Sequence, residues 1–190
     1  SVKVGPVSIL DDLSFTIERS GVHCLIGPNG AGKTSALNAL TGKLAYGSGN
    51  IYWSGNSLKR MRPFQTPKIG IGRKLQVPSI FPNLTIRQNI DIAIWVNRLK
   101  LRHLFLMHPY LWNMHLLEDL QNSFPFLKDK GVLAGTLSVG QRQMLDFVMT
   151  VLAEPELILL DEPCAGLSKY ETERMISAIS KLAKTSKATF

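Results

Sequence analysis

Short apolar runs near both ends of the chain predict buried strands. Val22–Ile26 is mostly apolar and leads into a glycine-rich segment, and Leu157–Leu160 is wholly apolar and leads into two acidic residues. Runs of this length and composition are typical of strands buried on both faces of a sheet. Lys187–Phe190 predicts the beginning of a further strand. We therefore expect a sheet assembled from both ends of the sequence.

Between and after these strands, apolar positions recur with helical spacing. The residues after Lys33 predict a helix that stops at Gly42. Three further helices are predicted by capping boxes, in which a serine or threonine is followed three positions later by glutamine or glutamate. These boxes are Thr85–Gln88, Ser138–Gln141 and Ser168–Glu171, and the first of these helices is expected to run to about Asn97. The inward face of the last helix is predicted to carry Met175, Ile176, Ile179, Leu182 and Ala183.

The order of these elements predicts an α/β domain with an inserted helical unit. Strands bracket the chain, and helices dominate the block 82–152. We expect a single domain over 1–190, with a mixed-sheet core from 1–81 and 153–190 and a helical subdomain from 82–152. In open α/β sheets the ligand binds at the carboxyl ends of the strands.

Length and composition agree with a folded domain. The 190 residues are 45% hydrophobic and 19% charged, and no stretch approaches the roughly 20 apolar residues that a membrane-spanning helix needs. Two cysteines, Cys24 and Cys164, are too few for a disulfide framework and favour a reducing cytoplasm. The formal net charge of +8 suits an anionic ligand, a membrane surface or a nucleic acid, and by itself selects none of them.

A glycine-rich segment matches the pattern G-x-x-x-x-G-K-[ST] at every fixed position, and it reads Gly27-Pro28-Asn29-Gly30-Ala31-Gly32-Lys33-Thr34. It lies between a predicted strand and a predicted helix, as a phosphate-binding loop requires. Glycines allow backbone N–H groups to converge on phosphate oxygens, and a helix N-terminus favours negative charge. Lys33 is expected at the β- and γ-phosphates and the Thr34 hydroxyl at Mg²⁺, with Ser35 beside the nucleotide.

Asp161 and Glu162 are candidate carboxylates for the chemistry. Asp161 follows a buried apolar strand, where a carboxylate is costly unless a cation lies beside it, and nucleotide-bound Mg²⁺ is the expected cation. Glu162 is expected to turn the other way along an extended chain, where it is placed to orient or deprotonate an attacking water molecule.

Two further segments narrow the class of protein. Leu137-Ser138-Val139-Gly140-Gln141 resembles the signature motif of ABC ATPases, with valine in place of the first glycine, and 70–76, Gly-Ile-Gly-Arg-Lys-Leu-Gln, resembles their glutamine loop. The phosphate loop, Gln76, the signature and the Asp161-Glu162 pair follow one another in the order of that family. The resemblance covers essentially the whole chain and implies a P-loop NTPase fold of the ABC ATPase type.

The resemblance implies ATP and Mg²⁺ as ligands and a pair of ATPase domains, identical or different, as the working unit. Each ATP would lie between the phosphate loop of one subunit and the signature of the other, head to tail. The signature residues at the nucleotide would be Ser138, Gly140 and Gln141. The implied metal ligands are Thr34, Gln76 and Asp161. The implied catalytic residues are Lys33, Gln76 and Glu162.

The resemblance also implies partners. Transmembrane permease subunits would hold the domain at the cytoplasmic face of the plasma (inner) membrane as a peripheral subunit. A solute-binding protein would be an indirect partner, and nucleic acid would be none. The stretch from Trp95 to Trp112 is one candidate contact surface for the permease, and the alternative is that it forms ordinary core of the helical block.

Within the family the chain most resembles importer ATPases for urea, and next those for branched-chain amino acids. The likeness rests on the segments 70–76, 161–167 and 171–174. An ABC ATPase of another transport system stays open, as does a nucleotide-binding module with little hydrolysis. The family's switch histidine is expected beyond Phe190, so the resemblance implies a chain truncated before that residue. The interval from Thr34 to Leu137 leaves no room for the long coiled coils of DNA-repair ATPases with an ABC head.

Overall fold

The computed structural model describes residues 1–4, 7–74, 76–96 and 114–190. The α-helices within these ranges are α1 (Lys33–Leu40), α2 (Ile86–Val96), α3 (Met114–Ser123), α4 (Val139–Leu152) and α5 (Lys169–Thr185). The strands there are β1 (Val2–Val4), β2 (Val7–Leu10), β3 (Tyr52–Trp53), β4 (Asn56–Ser57), β5 (Ile71–Lys74) and β6 (Leu157–Leu160). Short 3₁₀ segments cover Pro63–Ile69, Pro125–Lys128 and Ala134–Thr136.

β5 and β6 pair in parallel, with Ile71 opposite Leu157 and Lys74 opposite Leu160. The predicted strand at 157–160 is therefore confirmed. The sequence pattern did not predict β5, because a glycine and two cations follow Ile71. Since parallel strands end at the same edge of a sheet, Lys74 and Leu160, the last residues of β5 and β6, lie side by side at that edge. The other two strand pairs, β1 with β2 and β3 with β4, are antiparallel.

The predicted strand at Val22–Ile26 is wrong. The segment is irregular, and Ile26 is 90% exposed. Its backbone meets the sheet at its start, where Gly21 forms a bridge with Thr189 and the amide of His23 donates to the carbonyl of Phe190 at 2.8 Å. Among the described residues no strand runs beside 24–27, and a strand needs a paired neighbour to satisfy its backbone groups. Lys187–Phe190, predicted as the beginning of a strand, forms isolated β-bridges at Thr189, one with Gly21 and one with Leu157.

The helices begin where their capping boxes predict. Thr85 and Gln88 exchange hydrogen bonds at the start of α2. Ser138 and Ser168 cap α4 and α5 in the same reciprocal way. α2 is described to Val96, and its predicted end near Asn97 lies outside the described residues. Most of the predicted Trp95–Trp112 surface also lies outside them.

The largest apolar core lies where α2, α3, α4 and α5 pack together. Its fully buried members include Ile86, Leu120, Leu145, Phe147 and Met175. The predicted inward face of α5 is confirmed for Met175 and Leu182 but is wrong for Ile176, which is 53% exposed. One residue further along a helix turns the side chain by about 100°, so Ile176 lies at the flank of the face that Met175 centres. None of the helices in the described ranges combines the length and the apolar composition that a membrane-spanning segment requires.

Candidate nucleotide site at the strand ends

The predicted phosphate loop leads directly into α1, which begins at Lys33. Gly32 adopts a left-handed backbone with φ 84°, and a Cβ atom there would lie 2.5 Å from Cδ2 of Leu10. Only glycine therefore lets the loop pass this close to β2 before the helix starts. The amide of Ala31 donates to the carbonyl of Pro28 at 3.2 Å and closes a turn within the loop. The loop thus presents a helix N-terminus, which favours an anion.

The ammonium group of Lys33 is held over this loop. Its Nζ donates hydrogen bonds to the carbonyls of Gly27 and Pro28, both at 2.8 Å. These neutral acceptors leave the positive charge without a counter-ion in the contacts the structure shows. An incoming phosphate oxygen would find that charge already beside the loop.

Thr34 and Asp161 come together at the end of β6. The Thr34 hydroxyl donates to Oδ1 of Asp161 at 3.1 Å, although 127 positions separate the two residues. Asp161 is 6% exposed, and a buried carboxylate needs a cation. In this structure the cation is Arg73, whose guanidinium lies 3.2 Å from Oδ2 of Asp161. A hydroxyl and a carboxylate in contact are oxygen ligands of the kind that Mg²⁺ prefers, so these residues fit the metal.

Gln76 and Glu162 meet just outside the same edge. Nε2 of Gln76 donates to Oε2 of Glu162 at 3.3 Å, and both side chains are exposed. The expectation of an extended chain at Glu162 is wrong, because its φ is 49°. The chain turns there, with the amide of Ala165 donating to the carbonyl of Glu162 at 3.0 Å. A non-glycine residue in this region is uncommon and costs on the order of 1–3 kcal/mol, and such strain clusters at functional sites.

The signature motif lies at the start of α4. Ser138 Oγ accepts from the amide of Gln141 at 3.1 Å, and Oε1 of Gln141 accepts from the amide of Ser138 at 3.0 Å. Gly140 is buried against Glu171, because a Cβ atom on Gly140 would lie 2.2 Å from Oε1 of that carboxylate. The side-chain hydrogen bonds of Ser138 and Gln141 stay within this cap, and none joins them to the phosphate loop in the described part of the chain.

Several residues at this edge were missed by the sequence analysis. Besides its bond to Asp161, Arg73 donates to Asn38 Oδ1 at 2.8 Å and to Thr41 Oγ1 at 3.0 Å. Lys74 is fully buried and contacts Gln143 and Asp146 of α4. Burial lowers the pKa of Lys74 and raises the pKa of Asp146. The available signal was the pair of adjacent cations at 73–74, within the segment that resembles the glutamine loop.

The site combines three features: a glycine-rich loop at the start of a helix, a lysine held over that loop, and a threonine hydrogen-bonded to an aspartate at the end of a parallel strand. Together these features define a nucleoside triphosphatase of the phosphate-loop class. Comparison with protein families gives the narrower assignment. The ABC transporter family model matches residues 10–165. The chain belongs to the ABC transporter family, as an ATP-binding domain. Domains of this family bind ATP with Mg²⁺ and hydrolyse it, which confirms those expectations.

Individual relatives agree with this assignment. A probable branched-chain amino acid transport ATP-binding protein of Archaeoglobus fulgidus is 30% identical over 186 residues, covering 95% of this chain and 72% of the relative. A ribose import ATP-binding protein of Caldanaerobacter subterraneus is 29% identical over 197 residues, and there this chain spans only 37% of the relative's length. A solved nucleotide-free ATP-binding cassette from an ABC transporter is 25% identical, with a TM-score of 0.74 over 99% of this chain and 76% of that one. The predicted fold class is confirmed.

Proposed function

We propose that this chain binds and hydrolyses ATP as the energy-supplying domain of an ABC importer. The observation that carries the proposal is the meeting of two pairs of distant residues at one sheet edge. Thr34 bonds to Asp161, and Gln76 bonds to Glu162 across 86 positions of sequence. Phosphoryl transfer to water requires a loop that binds phosphates, carboxylates that act on Mg²⁺ and water, and a polar residue that positions them. The phosphate loop, the Asp161-Glu162 pair and Gln76 are residues of these kinds.

Each residue takes a role that its position supports. The loop from Gly27 to Thr34, with Ser35, binds the triphosphate through backbone amides, and Lys33 contacts its terminal oxygens. Glu162 is exposed at the mouth of the site, where it accepts a proton from, or orients, the attacking water molecule. Thr34, Asp161 and Gln76 would hold Mg²⁺, and a bound Mg²⁺ supplies positive charge that offsets the charge on the phosphates.

The same proposal includes a second ATPase subunit. Ser138 is exposed at the N-terminus of α4, and a helix N-terminus favours an anion. Among the described residues it makes no hydrogen bond to this chain's own phosphate loop. We infer that Ser138, Gly140 and Gln141 face the nucleotide of a partner subunit. In this view residues 82–152 form a helical subdomain between the two parts of the core, 1–81 and 153–190. That subdomain contacts the permease and holds the domain at the cytoplasmic face of the membrane.

The identity of the transported solute is the most specific part of the proposal. We propose urea or a branched-chain amino acid, on the motif likeness at 70–76, 161–167 and 171–174 and on the similarity to the Archaeoglobus relative. The ribose relative has nearly the same identity, so the ATPase domain itself carries little solute information. Stimulation of ATP hydrolysis by each solute, measured after assembly with a permease and binding protein, discriminates among these solutes.

Nucleotide-dependent pairing tests the central proposal. Glu162→Gln is expected to retain ATP without hydrolysing it, so gel filtration with Mg²⁺ and ATP should show a dimer and gel filtration without them a monomer. The control is Glu162→Gln combined with Lys33→Ala, which should stay monomeric in both conditions. ATP binding without any dimer would contradict the subunit role and favour a nucleotide-binding module.

A further inference from the structure

Two side chains of α4 contact the backbone at the end of the glutamine loop and just beyond it. Nε2 of Gln143 donates to the backbone carbonyl of Gln76 at 3.1 Å. One turn further along the helix, Oδ1 of Asp146 accepts from the backbone amide of Ser79 at 2.9 Å. Both residues are buried: Gln143 is 7% exposed and Asp146 is 4% exposed. The backbone is thus fastened to the same helix at Gln76, which ends the glutamine loop, and again three residues later at Ser79.

Lys74 fixes how these two side chains are oriented. Its side chain is fully buried, its Nζ donates to Oε1 of Gln143, and it lies 4.0 Å from Oδ2 of Asp146. An ammonium group has donors only, so the amide of Gln143 must present its oxygen to Lys74. The NH₂ group of that amide is then left for the carbonyl of Gln76. A buried ammonium needs such partners, which makes the arrangement costly to change.

The helix that carries these contacts also carries the signature. α4 begins after Ser138, and its buried residues include Met144, Leu145 and Phe147. A helix packed in this way moves as a rigid element rather than bending locally. At the other side of the loop, the Gln76 side chain reaches Glu162. The contacts therefore form a path from the signature helix through Gln143 and Gln76 to the carboxylate proposed to act on water.

We propose that Lys74, Gln143 and Asp146 are positioning residues that tie the glutamine loop to the signature helix, so that the position of α4 sets the distance between Gln76 and Glu162. The inference rests on the proposed function, because it specifies how the ATP site senses the signature helix. A partner that displaces α4 then moves Gln76 with it. None of the three side chains needs to touch nucleotide for this role.

Gln143→Glu is the sharpest variant, because it keeps an oxygen for Lys74 and removes the N–H donor to Gln76. We expect kcat for ATP hydrolysis to fall about tenfold to a hundredfold, since small misplacements of catalytic groups cost this much. The dissociation constant for Mg²⁺-ATP should stay within about twofold, because the phosphate loop is untouched. Met149→Leu, a volume-conserving change on the same helix, is the control and should leave both values unchanged.

A double-mutant cycle separates positioning from general damage. If Gln143 acts through Gln76, then Gln143→Glu should lower kcat much less in a Gln76→Ala background than in the unmodified chain. An equal reduction in both backgrounds would overturn the inference. If Gln143→Glu fails to fold, Gln143→Met provides the same comparison, because it removes the amide at similar length.

Amide hydrogen exchange gives a readout that does not need turnover. Residues 76–79 should exchange at least tenfold faster in Gln143→Glu than in the unmodified chain or in Met149→Leu. Unchanged exchange of 76–79 would overturn the inference even if the chain hydrolyses ATP. Faster exchange in a chain that hydrolyses no ATP would instead contradict the proposed function and leave the tie between loop and helix supported.

Discussion

The guanidinium of Arg73 lies 3.2 Å from Oδ2 of Asp161, in a pair whose side chains are only 9% and 7% exposed. The other carboxylate oxygen of Asp161, Oδ1, accepts a hydrogen bond from the hydroxyl of Thr34. The carboxylate proposed to bind Mg²⁺ is therefore compensated by the protein itself. Arg73 comes from β5 and Asp161 follows β6, so the ion pair also joins the ends of the two parallel strands.

Arg73→Met should destabilise the fold by about 3–5 kcal/mol, because it leaves a buried carboxylate without its cation. Urea unfolding followed by circular dichroism measures the change. The control is Arg19→Gln, since Arg19 makes an exposed pair with Glu156 at 3.7 Å. That change should cost less than about 1 kcal/mol. Similar small losses for both variants would show that Arg73 does not compensate Asp161.

Gly72→Ala should destabilise the chain by about 1–3 kcal/mol through overpacking. A Cβ atom at this position of β5 would lie 2.7 Å from Cγ of Pro155, a ring atom that cannot swing away. Gly131→Ala is the matched control, because a Cβ atom there has nothing within 4 Å. The comparison is again made by urea unfolding, and an unchanged midpoint for Gly72→Ala would contradict the packing of β5.

Much of the fold follows from local patterns. The capping boxes at Ser138 and Ser168 locate the starts of α4 and α5, because the hydrogen bonds of each box form between residues three positions apart in the sequence. The strand at Leu157–Leu160 follows from its apolar run. By contrast, the similar run Val22–Ile26 is irregular and exposed, because a strand depends on a neighbour that its own sequence does not specify.

The candidate site shows the same division. The phosphate loop and the Asp161-Glu162 pair are contiguous motifs, so their residue types alone predict their chemistry. The contacts of Arg73 and of Lys74 were not predicted, because each depends on which distant side chain lies across the sheet edge. The left-handed backbone of Glu162 was also missed, since propensity disfavours it and only the surrounding turn imposes it.

The two cysteines should react with a thiol reagent at different rates. Cys24 is exposed, whereas Cys164 is partly buried, and burial raises the pKa of the Cys164 thiol. Since the thiolate is the reactive form, Cys164 should react slowly at neutral pH and faster as the pH rises. Colorimetric thiol titration should show a fast phase that Cys24→Ser removes. Loss of the fast phase in Cys164→Ser instead would contradict the partial burial of Cys164.

Glu162→Gln should reduce kcat for ATP hydrolysis by about 10²–10⁴-fold, the range for loss of a general base. Binding of Mg²⁺-ATP should persist, because Glu162 lies outside the phosphate loop and is not among the proposed Mg²⁺ ligands. Phosphate release measured at saturating ATP gives kcat. Glu173→Gln, at an exposed position of α5, is the control and should be unaffected. Equal activity of Glu162→Gln and the unmodified chain would remove Glu162 from the proposed chemistry.

The most direct test of the account is calorimetric binding of Mg²⁺-ATP to this chain and to Lys33→Ala. The account predicts saturable binding by the unmodified chain, with one nucleotide per chain. Lys33→Ala should bind far more weakly, because it loses the ammonium group that the loop holds beside the phosphates. Equal binding by both proteins, or no binding by either, would contradict the claim that this loop is the ATP site.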